Sequence, residues 1–248
     1  MSNIFDLTGK YVLVTGAASG IGRCVAVEAS KLGANMILVD LNEAGLQDTL
    51  AMLEEGDHST LKCDLTSTEA RDNLISQVGE LDGVVNCAGV GLTLPFKFCT
   101  EKELGRIMNI NFFGPVYLVQ SLAKSNKINK NASIVYMASI DGTVTGHIGN
   151  SCYAASKGAS MGSVQTQALE FASRGVRVNC VSPARVNTPL LKRDNISEEQ
   201  VEANKKEYPM KRYAEPIEVA GYILYLLSDV SSYTSGSNLV IDGCFTIA

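Results

Sequence analysis

The sequence predicts an α/β protein with a doubly wound, three-layer architecture, in which helices cover both faces of a seven-stranded parallel sheet. Three observations predict it: seven apolar runs of strand length, helix-period segments between successive runs, and no long linker between them. Parallel neighbours require crossover connections, so alternating strand and helix favours a parallel sheet. Ligands of such folds bind at the carboxyl ends of the strands, where we therefore look for the chemistry.

The seven apolar runs have the length and composition of buried strands. They occupy residues 11–16 (YVLVTG), 35–40 (NMILVD), 59–64 (STLKCD), 83–89 (GVVNCAG), 133–139 (SIVYMAS), 176–183 (VRVNCVSP) and 238–243 (NLVIDG).

The helix after the first run is predicted from an apolar stripe. Ile21, Val25 and Leu32 fall on one face, and Gly33 is the residue type at which such a helix ends. Other helix starts are predicted where Ser/Thr-x-x-Glu/Gln patterns satisfy unpaired N–H groups, at residues 66–69, 100–103 and 197–200. Pro216 suits the first turn of a last helix.

Length and composition predict one domain over residues 1–248. The chain is 46% hydrophobic, has six prolines and can bury a full core. Its net charge is −5, and its one sizeable basic cluster, residues 122–131, has no aromatic side chains on which bases could stack. We expect a small-molecule substrate and no nucleic-acid partner.

The cysteines argue against a disulfide framework or a metal site. The seven are odd in number, scattered and never spaced as CxxC, and the two histidines lie far apart. Reduced thiols in a cytoplasm are the expectation. The first ten residues (MSNIFDLTGK) lack a basic region followed by a long apolar run, so we expect neither a signal peptide nor a membrane span.

A glycine-rich turn follows the first predicted strand. In TGAASGIG (15–22), Gly16, Gly20 and Gly22 remove β-carbons where a pyrophosphate could approach backbone N–H groups at a helix N-terminus. The spacing is GxxxGxG rather than GxGxxG, and the alternative interpretation is an ordinary tight turn.

Asp40 ends the second predicted strand, where a carboxylate can accept hydrogen bonds from the adenosine ribose. An anion there would repel a 2′-phosphate, and neighbouring residues 17–19 and 40–44 contain no arginine to bind one. The pattern predicts NAD as the cofactor, with NADP less favoured. The alternative is that Asp40 merely caps the next helix.

Tyr153 and Lys157, in SCYAASKGAS (151–160), are four residues apart and share a helix face. A free tyrosine has a pKa of roughly 10, so proton transfer near neutrality calls for a decrease of about 2 to 3 units. A nearby ammonium in a partly desolvated site can supply it. By itself the YxxxK pattern is weak, because many surface helices contain it.

Further motifs make the pattern specific: Asp64-Leu65, NCAG at 86–89, Asn111, Ser139, and SPARVNTP at 182–189. With TGxxxGIG and YAASK in this order, the chain resembles the short-chain dehydrogenase/reductase family from Thr8 to the terminal VIDGCF. The resemblance implies a Rossmann fold and an oxidoreductase that transfers a hydride between NAD(H) and a secondary alcohol or ketone.

The resemblance also implies residue roles. Tyr153 would exchange a proton with the substrate oxygen, Lys157 would lower the Tyr153 pKa, Ser139 would bind the substrate oxygen, and Asn111 would position a water in a proton relay. Cofactor contacts are implied at Gly16, Ser19, Gly20, Ile21, Gly22, Asp40, Leu41, Asp64, Leu65, Asn86, Ala88, Gly89, Tyr153, Lys157, Pro183, Val186 and Thr188.

Four residues depart from or add to the family pattern. Cys87 replaces a second Asn, and we interpret it as a small, unreactive side chain. Ala184 replaces a Gly, so the loop must shift if that position needs a positive φ. Arg185 either favours an anionic substrate group or faces solvent, and His147 either reaches the substrate pocket or is solvated. The charged segment 190–213 is expected to be a substrate lid or a solvated surface helix.

Family members usually form tetramers through the helix after Glu103, the helix that begins near Tyr153 and the C-terminal strand, so a homotetramer is implied.

Two alternative functions remain open. One is a 3-oxoacyl-[acyl-carrier-protein] reductase of fatty-acid synthesis that uses NADPH, and the other is a non-catalytic NAD-binding protein.

Overall fold

A seven-stranded parallel sheet forms the middle layer of the computed structural model, which describes residues 3–191 and 198–248. The strand order is β3-β2-β1-β4-β5-β6-β7. The strands are β1 (Tyr11–Thr15), β2 (Asn35–Asp40), β3 (Ser59–Lys62), β4 (Leu81–Asn86), β5 (Ile128–Met137), β6 (Arg177–Pro183) and β7 (Asn238–Ile241). The predicted fold class and all seven strands are confirmed. Strand β5 begins five residues before the predicted 133, because Ile128 pairs with Leu81 beyond an irregularity in the ladder.

Helices connect the strands. They are α1 (Gly20–Lys31), α2 (Glu43–Leu50), α3 (Thr68–Gln77), α4 (Glu101–Met108), α5 (Gly114–Lys124), the short α6 (Ile140–Thr143), α7 (Ser151–Phe171), α8 (Glu198–Lys205) and α9 (Pro216–Leu227). A π-helical turn, Asn109–Phe113, joins α4 to α5. Within the described ranges, no helix is long and apolar enough to cross a membrane.

The predicted helix starts are confirmed at two places. Thr100 and Glu103 form a reciprocal capping box at α4, and Pro216 is the first residue of α9. The start predicted at 66–69 is wrong by one residue, because the Ser67 side chain accepts the Ala70 N–H. The pattern at 197–200 begins on Ser197, which lies outside the described residues.

The sheet is covered on both faces. On β1, Leu13 packs with α3, α5 and α7 on one face, whereas Val12 and Val14 pack with α1 and α9 on the other. Successive strand residues point to opposite faces, so a strand buried on both sides reads as a continuous apolar run.

The strand order reverses between β1 and β4, which are neighbours in the sheet but not in the sequence. The Thr15 hydroxyl accepts the Ala88 N–H at 3.1 Å and ties the two strand ends together. A crevice forms outside the carboxyl ends of such strands, because the connections leave in opposite directions there.

Candidate active site

A cavity of about 610 Å³ lies at this edge of the sheet. It is lined by residues that follow β1, β2, β3, β4, β5 and β6. Most of the residues predicted from the sequence meet on its wall: Gly16, Ser19, Gly20, Ile21, Gly22, Asp40, Leu41, Asp64, Leu65, Ala88, Gly89, Ser139, Tyr153, Lys157, Pro183, Val186 and Thr188.

Two predicted residues lie behind the wall. Asn86 and Asn111 are only 2% and 3% exposed. The Asn86 carboxamide has no hydrogen-bond partner for either polar atom within residues 3–191 and 198–248. Cys87, Ala88 and Gly89 form this part of the wall, and the predicted cofactor contact of Asn86 stays a prediction.

The glycine turn lets neighbouring backbone segments pack closely, because its glycines have no β-carbons. Gly16 has a φ of +69°, and a Cβ there would lie 2.9 Å from the Ala88 nitrogen. A Cβ on Gly22 would lie 2.3 Å from the Gly16 carbonyl oxygen. Ser19 caps α1 in an extended conformation and makes no side-chain cap hydrogen bond. The first N–H groups of α1 therefore face a cradle without β-carbons, which fits a pyrophosphate.

Asp40 stands at the end of β2 beside this turn. Its Oδ2 accepts the Ala18 N–H at 3.1 Å, and its Oδ1 accepts the Asn42 N–H at 2.9 Å. The N-cap of α2 is Asn42, whose side chain accepts the Gly45 N–H. Capping is therefore not the role of Asp40. Because a carboxylate offers about four acceptor positions, it retains acceptors for a ligand.

Ser139, Tyr153 and Lys157 meet where β5 ends. Ser139 caps α6, and its Oγ accepts the Asp141 N–H at 3.2 Å. Tyr153 hydrogen-bonds Ser139. The Lys157 Nζ lies 5.7 Å from the centroid of the Tyr153 ring and donates to the Met137 carbonyl at 2.6 Å. The phenol and the ammonium are thus on one helix face, as the spacing predicts.

The expected decrease in the Tyr153 pKa is wrong for this arrangement. Burial raises the Tyr153 pKa to about 12, the Ser139 hydrogen bond opposes the increase, and the Asp141 charge adds to it. Burial also lowers the Lys157 pKa to about 8. Desolvation disfavours the charged form of both groups and is the largest cause of both shifts. At neutral pH, Tyr153 therefore carries its proton and can donate it.

Asn111 lies in the π-helical turn between α4 and α5, the kind of helical irregularity that is frequent at functional sites. Its Oδ1 accepts the Val90 N–H at 2.8 Å, and its Nδ2 donates to the Val90 carbonyl at 3.0 Å and to the Ser156 hydroxyl at 3.1 Å. Asn111 thus joins the segment after β4 to helix α7. A Cβ on Gly89 would lie 3.2 Å from Asn111 Oδ1 and 3.5 Å from Lys157 Nζ, so glycine permits this packing.

A second polar network lines the cavity and joins His147 to Asp141 and Asn150, two residues that sequence reasoning missed. The carboxylate of Asp141 is buried and accepts hydrogen bonds from His147 Nδ1 and, at 2.6 Å, from Asn150 Nδ2. The His147 ring stacks on Phe245 with 5.5 Å between centroids. The only sequence signal was an acid two residues beyond a strand end. His147 is therefore held on the cavity wall, with 40% of its side chain still exposed to solvent.

The structure also places the other three residues singled out against the family pattern, Cys87, Ala184 and Arg185. Burial raises the Cys87 pKa to about 12, which keeps the thiol protonated. Ala184 is not among the residues with positive φ, and its N–H donates to the Ile241 carbonyl at 2.9 Å, so alanine fits the loop without strain. Arg185 is half-buried on the cavity wall.

The predicted lid, 190–213, is described in part. Leu190, Leu191 and Tyr208 line the cavity, and α8 lies within the segment. Tyr208 also stacks on Phe245 at 4.5 Å. Residues 192–197 lie outside the described residues.

The depressed Lys157 pKa predicts a pH dependence of stability. Its pKa is 10.5 unfolded and about 8 folded, so between these values the unfolded chain holds a proton that the folded chain has released. Stability then rises with pH. From pH 7.5 to 9.5 we expect Lys157 to contribute a rise of about 2 kcal/mol in unfolding free energy. Urea denaturation at both pH values gives the change in unfolding free energy for the wild type and for Lys157→Met, and the difference between the two changes is the contribution of Lys157. Lys102→Met, which replaces an exposed lysine, is the control and should behave like the wild type. An equal pH dependence in all three proteins would contradict the prediction.

Comparisons with known proteins show what the chain as a whole is similar to. A family model described as enoyl-(acyl carrier protein) reductase matches residues 16–246. The 3-oxoacyl-[acyl-carrier-protein] reductase FabG of Rickettsia bellii is 34% identical over 242 residues, which are 97% of this chain and 98% of the relative. The D-threitol dehydrogenase of Mycolicibacterium smegmatis is 36% identical over 251 residues, 98% of this chain and 95% of the relative. A crystal structure of a short-chain dehydrogenase/reductase (glucose/ribitol dehydrogenase) from Brucella melitensis superposes with a TM-score of 0.91 at 28% identity, covering 99% of this chain and 100% of that one.

Proposed function

The chain belongs to the short-chain dehydrogenase/reductase family, and from that premise we propose that it oxidises a secondary alcohol, or reduces the matching ketone, with NAD(H). It is an oxidoreductase that acts on CH–OH or keto groups with a nicotinamide cofactor. The observation that carries the proposal is the single cavity in which the glycine turn, Asp40 and the Ser139–Tyr153–Lys157 set meet.

The reaction divides between cofactor and protein. The nicotinamide, when bound, supplies or takes up the hydride. In reduction, Tyr153 donates its proton to the carbonyl oxygen, and Ser139 donates a hydrogen bond to the same oxygen as negative charge develops there. The phenolate left behind is stabilised by the neighbouring Lys157 ammonium. Since burial raises the Tyr153 pKa, that positive charge is needed most when the phenol has lost its proton.

We propose the cofactor contacts residue by residue. The glycine turn and the N-terminus of α1 hold the pyrophosphate, Asp64 and Leu65 flank the adenine, and the Pro183–Thr188 loop holds the carboxamide end. Asn111 does not line the cavity. We propose that it supports the proton relay indirectly, because its hydrogen bonds hold Val90 and Ser156 in place.

NAD is proposed over NADP because of the charges near the end of β2. The Asp40 carboxylate would accept bonds from the ribose hydroxyls and repel a 2′-phosphate. Arg23, on α1, is not available to bind that phosphate, because its Nη2 donates to the Ala18 carbonyl at 2.5 Å and its Nε donates to the Thr49 hydroxyl at 2.9 Å.

The substrate is proposed to carry a second oxygen near the reacting carbon. Asp141 engages the His147 Nδ1, and Phe245 stacks on the ring, so the imidazole is preorganised beside the cavity. His147 lines the same cavity as Ser139 and Tyr153, and we propose that its Nε2 binds a second substrate oxygen there. A vicinal diol or an α-hydroxy ketone carries such an oxygen on the carbon next to the reacting carbon.

We expect His147→Ala to raise KM for a vicinal diol about tenfold and to leave kcat within about twofold. One hydrogen bond contributes about 1 kcal/mol or more, and 1.4 kcal/mol is a factor of ten. A secondary alcohol without the second oxygen should show an unchanged KM. His58→Ala is the control, because His58 accepts the Met36 N–H outside the cavity lining. An equal KM increase for both substrates would refute selective recognition.

A second function, 3-oxoacyl-[acyl-carrier-protein] reduction, is supported by the name of the Rickettsia relative. Two measurements separate it from the first: turnover of an acetoacetyl thioester, and the ratio of rates with NADPH and NADH. The third alternative, an NAD-binding protein without activity, is disfavoured by the presence of Asn111, Ser139, Tyr153 and Lys157 in one region.

The main test is a panel assay. The purified protein is incubated with NAD and a set of secondary alcohols, diols, sugar alcohols and hydroxy acids, and NADH formation is followed by absorbance. We expect turnover with one of these classes at a higher rate with NAD than with NADP. Turnover confined to acyl thioesters with NADPH would reject the proposal in favour of the reductase.

The assembly is proposed to be a homotetramer in a reducing cytoplasm. Leu104 on α4 and Leu169 on α7 are 41% and 79% exposed, so the helices implicated by the family carry apolar surface that a partner subunit would cover. The scattered cysteines support the compartment.

A further inference from the structure

Two cysteines distant in the sequence meet beside the catalytic helix. The Sγ atoms of Cys99 and Cys152 lie 2.9 Å apart. A disulfide bond is about 2.05 Å long, so about 0.9 Å of closure would join them. Neither residue belongs to the cavity lining or to the proposed catalytic set.

The two thiols differ in access. Cys152 is the second residue of α7 and is only 4% exposed, whereas Cys99 is half-buried and immediately precedes the capping residue of α4. Cys99 Sγ also lies 3.6 Å from the Ser151 hydroxyl and 3.9 Å from the Leu94 carbonyl. An oxidant arriving from solvent would thus meet Cys99 first and find Cys152 directly behind it.

We propose that Cys99 and Cys152 form a modification site for hydroperoxides, at which the two thiols are oxidised to a disulfide. The Cys99 thiolate attacks the peroxide, the O–O bond breaks, and a sulfenic acid and an alcohol (water from hydrogen peroxide) result. The Cys152 sulfur then attacks the Cys99 sulfur, the S–O bond breaks and water leaves. The two sulfurs lose two electrons, and the hydroperoxide gains them.

Burial of Cys152 supports this order of events. It raises the Cys152 pKa, and the neighbouring Cys99 raises it further. Nucleophilic attack on a peroxide needs a thiolate, so the buried Cys152 is the poorer first nucleophile, and the more accessible Cys99 meets the peroxide first. Transient disulfides in a reducing compartment are typically catalytic or redox-sensing.

The disulfide would connect the cavity wall to the catalytic helix. Residues 90–93 line the cavity, and the same segment leads to Cys99. It already contacts the start of α7, because the Leu94 N–H donates to the Gly149 carbonyl at 2.7 Å and the Thr93 hydroxyl donates to Asn150 at 3.3 Å. Tyr153 follows Cys152 directly, so closure moves the backbone next to the phenol. A displacement of about 1 Å in a catalytic group can reduce the rate a hundredfold.

The test is a peptide map of the whole protein after brief treatment with hydrogen peroxide, blocking of free thiols and digestion with trypsin. Cys99 falls in peptide 98–102 and Cys152 in peptide 131–157, and neither peptide has another cysteine. We expect these two peptides to be joined, to separate after dithiothreitol, and to remain unlinked in Cys99→Ser and Cys152→Ser. Cys24→Ser, half-buried on α1, is the matched control and should form the link normally.

Activity gives a second readout, which rests on the proposed function, whereas the peptide map does not. We expect the linked protein to lose at least threefold in kcat, with recovery after dithiothreitol and no loss in Cys99→Ser. Oxidation that leaves peptides 98–102 and 131–157 unlinked, or links them only to the exposed Cys244, would overturn the site. A fully linked protein with unchanged kcat would overturn its coupling to Tyr153.

Discussion

Replacing Tyr153 with phenylalanine is expected to reduce kcat by about 10²- to 10⁴-fold, the usual contribution of a positioned proton donor. The phenol hydrogen-bonds Ser139 and carries its proton at neutral pH, because burial raises its pKa to about 12. Phenylalanine keeps the ring and removes the proton. Steady-state kinetics with the best substrate of the panel assay measures the loss.

The same variant should keep its affinity for the dinucleotide. The pyrophosphate cradle at Gly16–Gly22 does not involve the phenolic oxygen, so NADH titration by fluorescence should give a Kd within about threefold of the wild type. Tyr222→Phe on α9, an exposed tyrosine outside the cavity lining, is the control and should leave kcat unchanged. Unaltered turnover in Tyr153→Phe would remove Tyr153 from the mechanism.

The local features of the fold could be predicted because their causes are local. Leu13, Val12 and Val14 form a short apolar run whose members pack on opposite faces of the sheet. The capping box of Thr100 and Glu103 lies within four residues of sequence. The alternation of strand and helix predicted a parallel sheet covered on both faces, but the strand order and the switch between β1 and β4 emerged only from the structure.

The sequence predicted which residues form the site, but it did not predict their pKa values. The spacing of Tyr153 and Lys157 placed them on one helix face, but the pKa of each depends on the amount of water that tertiary packing excludes. Desolvation therefore reversed the expected direction for Tyr153. The family resemblance likewise implied a role for Asn86 at the cofactor but did not say on which side of the cavity wall the residue lies.

Contacts between distant residues left no pattern in the sequence. Cys99 and Cys152 are 53 residues apart, and their contact arises because α4 packs against α7. The His147 ring is held in place by a hydrogen bond to Asp141 and by stacking on Phe245, which lies near the C-terminus. Neither arrangement has a helical or strand period, so neither could be derived from spacing alone.

Replacing Asp40 with asparagine is expected to reverse the cofactor preference. Hydrogen bonds to a charged group contribute about 1.5 to 3 kcal/mol, which is roughly 10- to 100-fold in affinity. Removing the charge weakens NADH binding by that factor and removes the repulsion of the 2′-phosphate of NADPH. The ratio of the two Kd values, measured by fluorescence titration, should therefore shift by about 10²-fold toward NADPH.

Asparagine is the informative choice because Asp40 also has a structural role. Its oxygens accept the Ala18 and Asn42 N–H groups, and the asparagine Oδ1 can still accept one of them. A shift in cofactor preference with a nearly unchanged melting temperature therefore reports charge rather than packing. Glu43→Gln removes a neighbouring carboxylate, which is exposed at the start of α2 and 3.8 Å from the Lys62 ammonium, and should leave the ratio unchanged. If Glu43→Gln shifts the ratio as far as Asp40→Asn does, then the preference arises from the general negative field of this edge and not from a contact with the ribose.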